Sequence, residues 1–173
     1  VKVTSDNKET ADKADVLFLC VKPQFLYGVI DEIKNSVSDN TVIVSIVAGQ
    51  AIETIEKAFE HNIKLVRVMP NTPALVGEGM AALTPNSNVT KEETDVVVNV
   101  FNSFGKSEVV SENLMDSVTA VSGSSPAYVF MMIEAMADAA VIGGMPRSQA
   151  YTFAAQAVLG LSLIHISEPT RPR

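Results

Sequence analysis

The sequence predicts a doubly wound α/β domain built on a parallel sheet, followed by an all-helical domain. Three runs, DVLFLCV, TVIVSIV and KLVRVM, are short and rich in β-branched residues, as strands covered on both faces are. Two stretches between them, QFLYGVIDEIKNSV and QAIETIEKAFE, carry apolar residues at helical spacing. Strands that alternate with helices in this way indicate right-handed crossovers between parallel strands.

The elements of the α/β part follow in order along the chain. We expect strands near residues 16–21, 41–47 and 65–69. Each helix between them turns one apolar stripe toward the sheet: Leu26, Ile30 and Ile33 in the first, and Ile52, Ile55 and Phe59 in the second. The run GMAALT adds a strand, and Thr90 with Glu93 predicts a capping box at the start of the next helix.

After Gly105 the pattern changes, and from Asn113 onward it is helical throughout. The sequence therefore predicts an α/β domain over residues 1–107 and a helical domain over residues 108–161, with the boundary near 106–111.

The two ends of the chain do not fit these patterns. The sequence pattern of the first domain is already under way at Val1, so we expect an N-terminal part of that domain to precede it. The last helix is expected to end near Gly160, where SLIHISEPTRPR begins without helical periodicity. Residues 162–173 resemble a translated sequencing adapter, and we expect them to form a non-native tail with few contacts to residues 1–160.

Composition restricts the partners of the protein. The chain has 173 residues, a formal net charge of −7, a pI near 4.8 and scattered basic residues, which argues against nucleic acid and anionic membranes. Its one cysteine, Cys20, lies in an apolar run and is expected to be buried. A chain without a disulfide framework favours a reducing compartment, and we predict a cytoplasmic protein.

The most apolar window, AYVFMMIEAMADAAVIGGM, contains Glu134 and Asp138. Each such charge costs about 2.5–3.5 kcal/mol in a bilayer, so the window predicts a buried helix of a soluble protein. The two carboxylates are expected to pair with Arg147 or with a neighbouring helix. No membrane partner is expected.

Catalysis by histidine is improbable, because only His61 and His165 are present. Neither a Ser-His-Asp triad nor a zinc site fits, which assigns the chemistry to a cofactor. The three predicted strands end in CVKPQ, VAGQ and MPNTP, at the edge of the sheet where doubly wound folds bind ligands. These segments are either ordinary turns or the wall of a nucleotide crevice.

The stretch VSGSSPAY also allows two interpretations. Ser125 and Pro126 suit the N-cap and first position of a helix. Gly123 and Ser124 are small enough to leave that helix end open to a carboxylate or phosphate. The residues alone do not decide between a cap and an anion site.

Several motifs together resemble pyrroline-5-carboxylate reductase. They lie in order over residues 1–160: NKET, DVLFLCVKP, VAGQAIETIE, RVMPNTPALVGEG, SENLMDSVTAVSGSSPAYVF and EAMADAAVIGGMPRSQA. The resemblance implies a Rossmann domain followed by a helical dimerisation domain. It also implies reduction of 1-pyrroline-5-carboxylate to L-proline with NADPH or NADH, the last step of proline biosynthesis, by a homodimer or larger homo-oligomer.

The resemblance also assigns residues to sites. Asn7 matches an asparagine at the adenosine ribose of the cofactor, Val21, Lys22 and Pro23 a turn along the dinucleotide, and Ala48 with Gly49 a turn near the nicotinamide. Glu112, Asn71 and the stretch Ser122, Gly123 and Ser124 match residues of the substrate site. Hydride comes from the cofactor, so no catalytic side chain and no metal are assigned.

Two segments of the family pattern, a Gly-rich phosphate turn before Val1 and a GG-x-T segment after Gly160, are not in the sequence. The chain by itself is therefore expected to be inactive. One alternative is a two-domain dehydrogenase of the hydroxyacid type, although no lysine follows Lys106 to act as its general base. The other is a non-enzymatic nucleotide-binding dimerisation module.

Overall fold

The computed structural model describes residues 2–167, which form two compact units, the first ending at Gly123 and the second beginning at Ser124. The first unit contains, in chain order, α1 (Asn7–Asp12), β1 (Val16–Leu19), α2 (Leu26–Ile33), β2 (Val42–Ser45), α3 (Ile52–Phe59), β3 (Lys64–Met69), β4 (Gly79–Pro85), α4 (Lys91–Asn102), β5 (Gly105–Val109) and α5 (Met115–Val118). The second contains α6 (Ser125–Ile142) and α7 (Arg147–Ser167).

The five strands form one sheet in the order β1-β2-β3-β4-β5. The first three are parallel, β4 runs antiparallel to β3, and β5 is parallel to β4. The three strands expected from the apolar runs are confirmed, and their turns lie at one edge as predicted. The connection from β3 to β4 holds only a short 3-10 helix, Thr72–Val76, which is too short for a parallel crossover, and β4 therefore reverses direction.

Side chains of the strands alternate between two buried layers. Leu17, Leu19, Ile43 and Leu65 pack with α1, α2 and α3, whereas Val42, Val44, Val66 and Val68 pack with Val97 and Phe101 of α4. Helices therefore cover both faces, and the predicted doubly wound architecture is confirmed. Burying each aliphatic side chain stabilises the fold by about 1.5–3 kcal/mol, so these layers fix the strand register.

The start of α4 forms the predicted capping box. Thr90 Oγ1 accepts a hydrogen bond from Glu93 N at 3.2 Å, and Glu93 Oε2 accepts one from Thr90 N at 2.9 Å. Glu93 Oε1 also accepts a hydrogen bond from Lys64 of β3 at 2.6 Å. This bond lowers the pKa of Glu93, so the carboxylate is ionised at neutral pH.

The predicted boundary after residue 107 falls inside β5, a strand that the sequence did not predict. The residues GKSEV lack a continuous apolar pattern because β5 is an edge strand with an exposed outer side. The first compact unit continues beyond this strand to Gly123.

The expectation that the apolar helix α6 is buried is wrong for the chain taken by itself. Ala137 is its only buried residue, and Phe130 and Met131 are 71% and 67% exposed. By length and composition alone, one helical run in residues 2–167, Glu112–Ile142, is apolar enough to cross a membrane. Such a test is also met by helices that pack against protein, so it is weak support for a membrane span.

Within the second unit, Arg147 forms an ion pair with Asp138, which confirms one of the predicted partners. The hydrogen bond from Arg147 to Asp138 raises the pKa of the guanidinium further above its ordinary value. The Arg147 guanidinium also lies 5.6 Å from the centre of the Tyr151 ring. The pair joins the C-terminal half of α6 to the start of α7.

The last helix does not end near Gly160, as the sequence predicted, but continues to Ser167. Helix propagation adds one hydrogen bond per residue, so a helix can extend through residues that are largely exposed. Ile164, within the predicted tail, is exposed, as expected of a segment that packs poorly. The rest of the predicted tail, residues 168–173, lies outside the described residues, and its non-native origin stays a prediction.

Candidate dinucleotide site at the edge of the sheet

Three turns follow adjacent parallel strands and therefore lie side by side at the carboxyl edge of the sheet. Lys22 and Pro23 in the first turn are exposed, as are Ala48 and Gly49 in the second. Gly49 has a φ of +72°, and no heavy atom lies within 4 Å of the place where a Cβ would stand. The turn therefore needs glycine for its conformation and leaves open space beside its backbone.

An open apolar cavity of about 540 Å³ adjoins this edge. Phe18, Ile46 and Pro70 line it, together with Cys20. The expectation that Cys20 is buried is wrong, because β1 ends at Leu19 and the thiol lies beyond the strand, exposed at the cavity. Partial burial nevertheless raises the pKa of the Cys20 thiol, which keeps it protonated at neutral pH.

The first two turns are tied together through α2. Pro23 begins a 3-10 helix, Pro23–Phe25, that leads into α2, and Val21 packs on the core. From α2, Tyr27 Oη donates a hydrogen bond of 2.7 Å to Gln50 Oε1 in the second turn. Tyr27, on the helix that follows the first turn, thus restrains the second turn.

Glu112 lies at the start of the 3-10 helix Glu112–Leu114 that follows β5. Its Oε1 accepts hydrogen bonds from Ile52 N, at 2.8 Å, and from Arg67 Nη1, also at 2.8 Å. These contacts bring Glu112 to the start of α3, directly after the turn that contains Ala48 and Gly49. The place of Glu112 in a substrate pocket stays a prediction.

Asn71 connects the third turn to two distant segments. Its Oδ1 accepts a hydrogen bond from Met80 N at 2.8 Å, and its Nδ2 donates one to the Ser122 carbonyl at 3.2 Å. Asn71 and Ser122, both predicted from the family motifs, are therefore in contact. The amide of Asn71 holds the start of β4 and the segment before α6 in place.

That segment is a π-helical turn, Thr119–Gly123, between α5 and α6. Ser122 Oγ donates a hydrogen bond of 3.0 Å to the Val118 carbonyl. A Cβ on Gly123 would lie 2.7 Å from Met69 Cε, so Gly123 is small at least in part because Met69 packs against it. Such π turns are frequent at functional sites.

The prediction that Ser125 caps α6 is wrong. Ser125 is the first residue of α6, the cap position belongs to Ser124 with φ −90° and ψ −27°, and no side chain caps the helix. The chain is already wound into the π turn before α6, so the extended residue that a cap requires is absent from this stretch. The alternative interpretation, that Gly123 and Ser124 leave this helix end open to an anion, stays a prediction.

Asn7 lies apart from these contacts, at the exposed start of α1. Its Nδ2 donates a hydrogen bond of 2.9 Å to Glu32 Oε2 on α2. Its predicted contact with the adenosine ribose stays a prediction. Within residues 2–167, no cluster of three or more His, Cys, Asp or Glu side chains could hold a metal ion.

Comparison with known proteins decides the family. The chain is 51% identical to pyrroline-5-carboxylate reductase of Escherichia coli over 160 residues, or 92% of this chain and 60% of that protein. It is 40% identical to the enzyme of the same name from Methanosarcina acetivorans over 99% of this chain and 64% of the relative. The chain belongs to the pyrroline-5-carboxylate reductase family.

The solved structures of the family agree. Pyrroline carboxylate reductase of Plasmodium falciparum, crystallised with NADP bound, superposes with a TM-score of 0.91 at 36% identity, covering 98% of this chain and 64% of that one. The protein from Coxiella burnetii gives 0.90 at 33% identity, over 96% of this chain and 63% of the other.

Two family descriptions match parts of the sequence. Residues 112–172 match "Pyrroline-5-carboxylate reductase dimerisation", and residues 1–49 match "NADP oxidoreductase coenzyme F420-dependent". The first match includes most of the predicted tail. The chain spans about 60% of the length of the Escherichia coli reductase that it matches.

Sequence reasoning missed Arg67, the partner of Glu112. Its signal was present, since Arg67 stands in a strand between Val66 and Val68, both buried. A charge in such a strand requires a partner, because an unpaired buried charge is costly. In the reductase fold that partner comes from a residue 45 positions later, a distance that no local pattern bridges.

Proposed function

We propose that the protein reduces 1-pyrroline-5-carboxylate to L-proline with NADPH or NADH. The observation that carries the proposal is the alignment of three turns at one sheet edge in a chain 51% identical to a pyrroline-5-carboxylate reductase. Doubly wound sheets bind dinucleotides at this edge. The relative solved with NADP bound has the same fold over nearly the whole chain.

The residues at the edge fit a dinucleotide. The exposed backbone at Ala48 and the open space beside Gly49 leave room for a flat ring to approach. In this proposal Ala48 and Gly49 receive the nicotinamide end, residues 21–23 run along the dinucleotide, and Asn7 binds the adenosine ribose. The bound nicotinamide supplies the hydride.

The substrate is proposed to lie beside the π turn, where Asn71 fixes the Ser122 carbonyl and Gly123 carries no side chain. The remaining proposed substrate residues are Ser124 and Glu112. Reduction adds the hydride to the carbon of the C=N bond and a proton to its nitrogen, so the protein orients the ring and excludes water. No covalent bond to a side chain is required.

The reaction gives a direct test. The protein expressed at its natural full length should oxidise NADPH or NADH, followed at 340 nm, when 1-pyrroline-5-carboxylate is added. Gly49→Ala should raise the KM for the cofactor about tenfold, because it strains the turn and fills the open space. Gly144 is the matched control. Its φ is +93° and no heavy atom lies within 4 Å of the place where its Cβ would stand, but it lies between α6 and α7.

Gly144→Ala should therefore leave the KM for the cofactor within twofold of the wild type. A protein that is inert toward the imine but reduces a 2-keto acid would contradict the proposed reaction. Equal effects of the two alanine substitutions on the KM for the cofactor would contradict the proposed place of the nicotinamide.

The protein is also proposed to form a homodimer or a larger homo-oligomer. The exposed face of α6 contains Tyr128, Phe130 and Met131, an apolar surface that monomeric proteins rarely leave in water. This helix falls in the part that matches the dimerisation family. A second copy of the chain would cover the face and explain why an apolar helix is exposed here.

Phe130→Glu should shift the full-length protein from dimer toward monomer in sedimentation velocity, because it places a charge in the proposed interface. Val96→Glu is the control, since Val96 is a half-exposed apolar residue of α4 in the first unit. A Phe130→Glu protein with the mass of the wild type would refute the interface.

We further propose that the protein acts in the cytoplasm. The single cysteine is a free thiol, in keeping with a reducing compartment. The names of the reported relatives describe reductases, and none describes a membrane protein.

A further inference from the structure

Helix α3 begins without a cap of its own. Asp6 caps α1 and Thr90 caps α4, each through its own side chain. The N-cap of α3 is Ala51, which has no side-chain acceptor. The first amide of α3, Ile52 N, donates instead to Glu112 Oε1 at 2.8 Å, across 60 positions of sequence. A distant residue therefore does the work of the missing cap.

Arg67 fixes the position of the Glu112 carboxylate that caps α3. Its Nη1 lies 2.8 Å from the same oxygen, and its side chain is only 15% exposed. Arg67 belongs to β3, the middle strand of the sheet, where its neighbours Val66 and Val68 are buried. A charge-assisted hydrogen bond from so rigid a strand holds the Glu112 carboxylate, and through it the start of α3, at a fixed place.

The segment that is held in this way is the second turn of the candidate site. It leaves β2, passes Gly49 at a φ of +72°, and enters α3 at Ile52. Between Gly49 and Ile52, Gln50 accepts a hydrogen bond from Tyr27 of α2. Side chains from other elements thus restrain the two positions that follow Ala48 and Gly49, Gln50 and Ile52.

We propose that Arg67 and Glu112 are positioning residues of the dinucleotide site, holding the turn of residues 48–51 in the conformation that receives the nicotinamide end. This inference rests on the proposed function and makes one part of it specific. It gives Glu112 a role in cofactor affinity through α3, in addition to the substrate contact that the family motif suggests. Neither residue needs to touch the cofactor.

The chain provides a closely matched control. Glu93 also accepts a hydrogen bond from a cation of β3, Lys64, and one from a backbone amide at a helix start, Thr90 N. The Lys64 and Glu93 side chains are 22% and 24% exposed. Lys64 is the first residue of β3, so this pair lies at the opposite edge of the sheet from the three turns. Removing Glu93 costs similar contacts without touching the candidate site.

The experiment measures the dissociation constant of NADPH by ligand fluorescence, on the full-length protein and without turnover. Glu112→Ala should raise it about tenfold, because the turn loses its anchor. Glu112→Gln keeps an oxygen for Ile52 N and should raise it only about threefold, and Glu93→Ala should leave it within twofold although it lowers the Tm. The KM for the imine, measured at saturating NADPH, should change less than the dissociation constant does.

Equal NADPH affinity in Glu112→Ala and Glu93→Ala would overturn the inference. So would an effect of Glu112→Ala confined to the KM for the imine, which would make Glu112 a substrate contact. If Glu112→Ala does not fold, Glu112→Gln and Arg67→Lys decide by the same comparison. A wild type that binds NADPH but does not reduce the imine refutes the proposed reaction, while the NADPH affinities still test the role of Glu112.

Discussion

Replacing Gly105 with alanine is expected to unfold the first unit or leave it barely stable. Gly105 of β5 pairs directly with Gly79 of β4. A Cβ on Gly105 would lie 2.1 Å from the Gly79 carbonyl oxygen and 2.6 Å from Gly79 N. Overpacking between side chains costs about 1–3 kcal/mol. Here the clash is with the backbone of Gly79, which cannot move aside without disturbing the pairing of β4 with β5. We expect a loss of at least about 3 kcal/mol in the free energy of unfolding, measured by urea denaturation followed by far-UV circular dichroism.

Gly28→Ala is the matched control for this experiment. Gly28 lies within α2, and no heavy atom stands within 4 Å of the place of its Cβ. Alanine should stabilise the protein there by about 0.5–1 kcal/mol, because glycine weakens helix interiors. A Gly105→Ala protein as stable as the wild type would show that β4 and β5 do not approach as closely as the structure has them.

Replacing Gly123 with valine is expected to lower kcat/KM for the proposed reduction about a hundredfold, with a smaller effect on stability. The branched side chain would enter the space beside the π turn where the imine ring is proposed to lie. The nearest obstacle within the protein is Met69 Cε, the end of a flexible side chain that can move aside. The cost to folding should therefore stay within about 1–3 kcal/mol. Steady-state kinetics and thermal unfolding of the same preparation separate the two effects.

The contact with Met69 requires a control that isolates it. Gly123→Ala is compared with the double variant Met69→Ala, Gly123→Ala, and Met69→Ala alone serves as its reference. If the space belongs to the substrate, the double variant stays impaired relative to Met69→Ala. If packing against Met69 is the whole reason for the glycine, removing the Met69 side chain restores activity. Unchanged kinetics in Gly123→Val would show that the residue serves packing alone.

The sequence correctly predicted those parts of the fold that depend on neighbouring residues. Strand alternation and helical spacing are local periodicities, and they located β1, β2 and β3 and the helices between them. The edge at which the three turns meet followed from the parallel direction of the strands, because the carboxyl ends of parallel strands lie at the same edge of a sheet. The capping box of Thr90 and Glu93 spans three residues and was equally readable. The family motifs supplied candidate residues, of which Asn71 and Ser122 prove to be in contact.

Several predictions from the local patterns were wrong or incomplete, each for its own physical reason. Cys20 is exposed because β1 ends at Leu19, two residues before the apolar run ends. The apolar helix α6 is exposed in this chain, because an apolar composition by itself does not identify which element would pack against a helix. Ser125 is no cap because a π turn precedes it, and β5 was missed because an edge strand needs no apolar pattern.

The sequence by itself therefore determined most of the elements, the edge at which the three turns lie and the family. Only the tertiary structure decided how that edge is held together. Arg67 and Glu112 are 45 positions apart, and Ile52 and Glu112 are 60 apart. Periodicity and capping rules act within a few residues, whereas these bonds form only once the strands and helices have packed. The physical reason is separation along the chain. Preferences between neighbouring residues determine the helices and strands, whereas contacts between distant residues determine which side chains meet at the site.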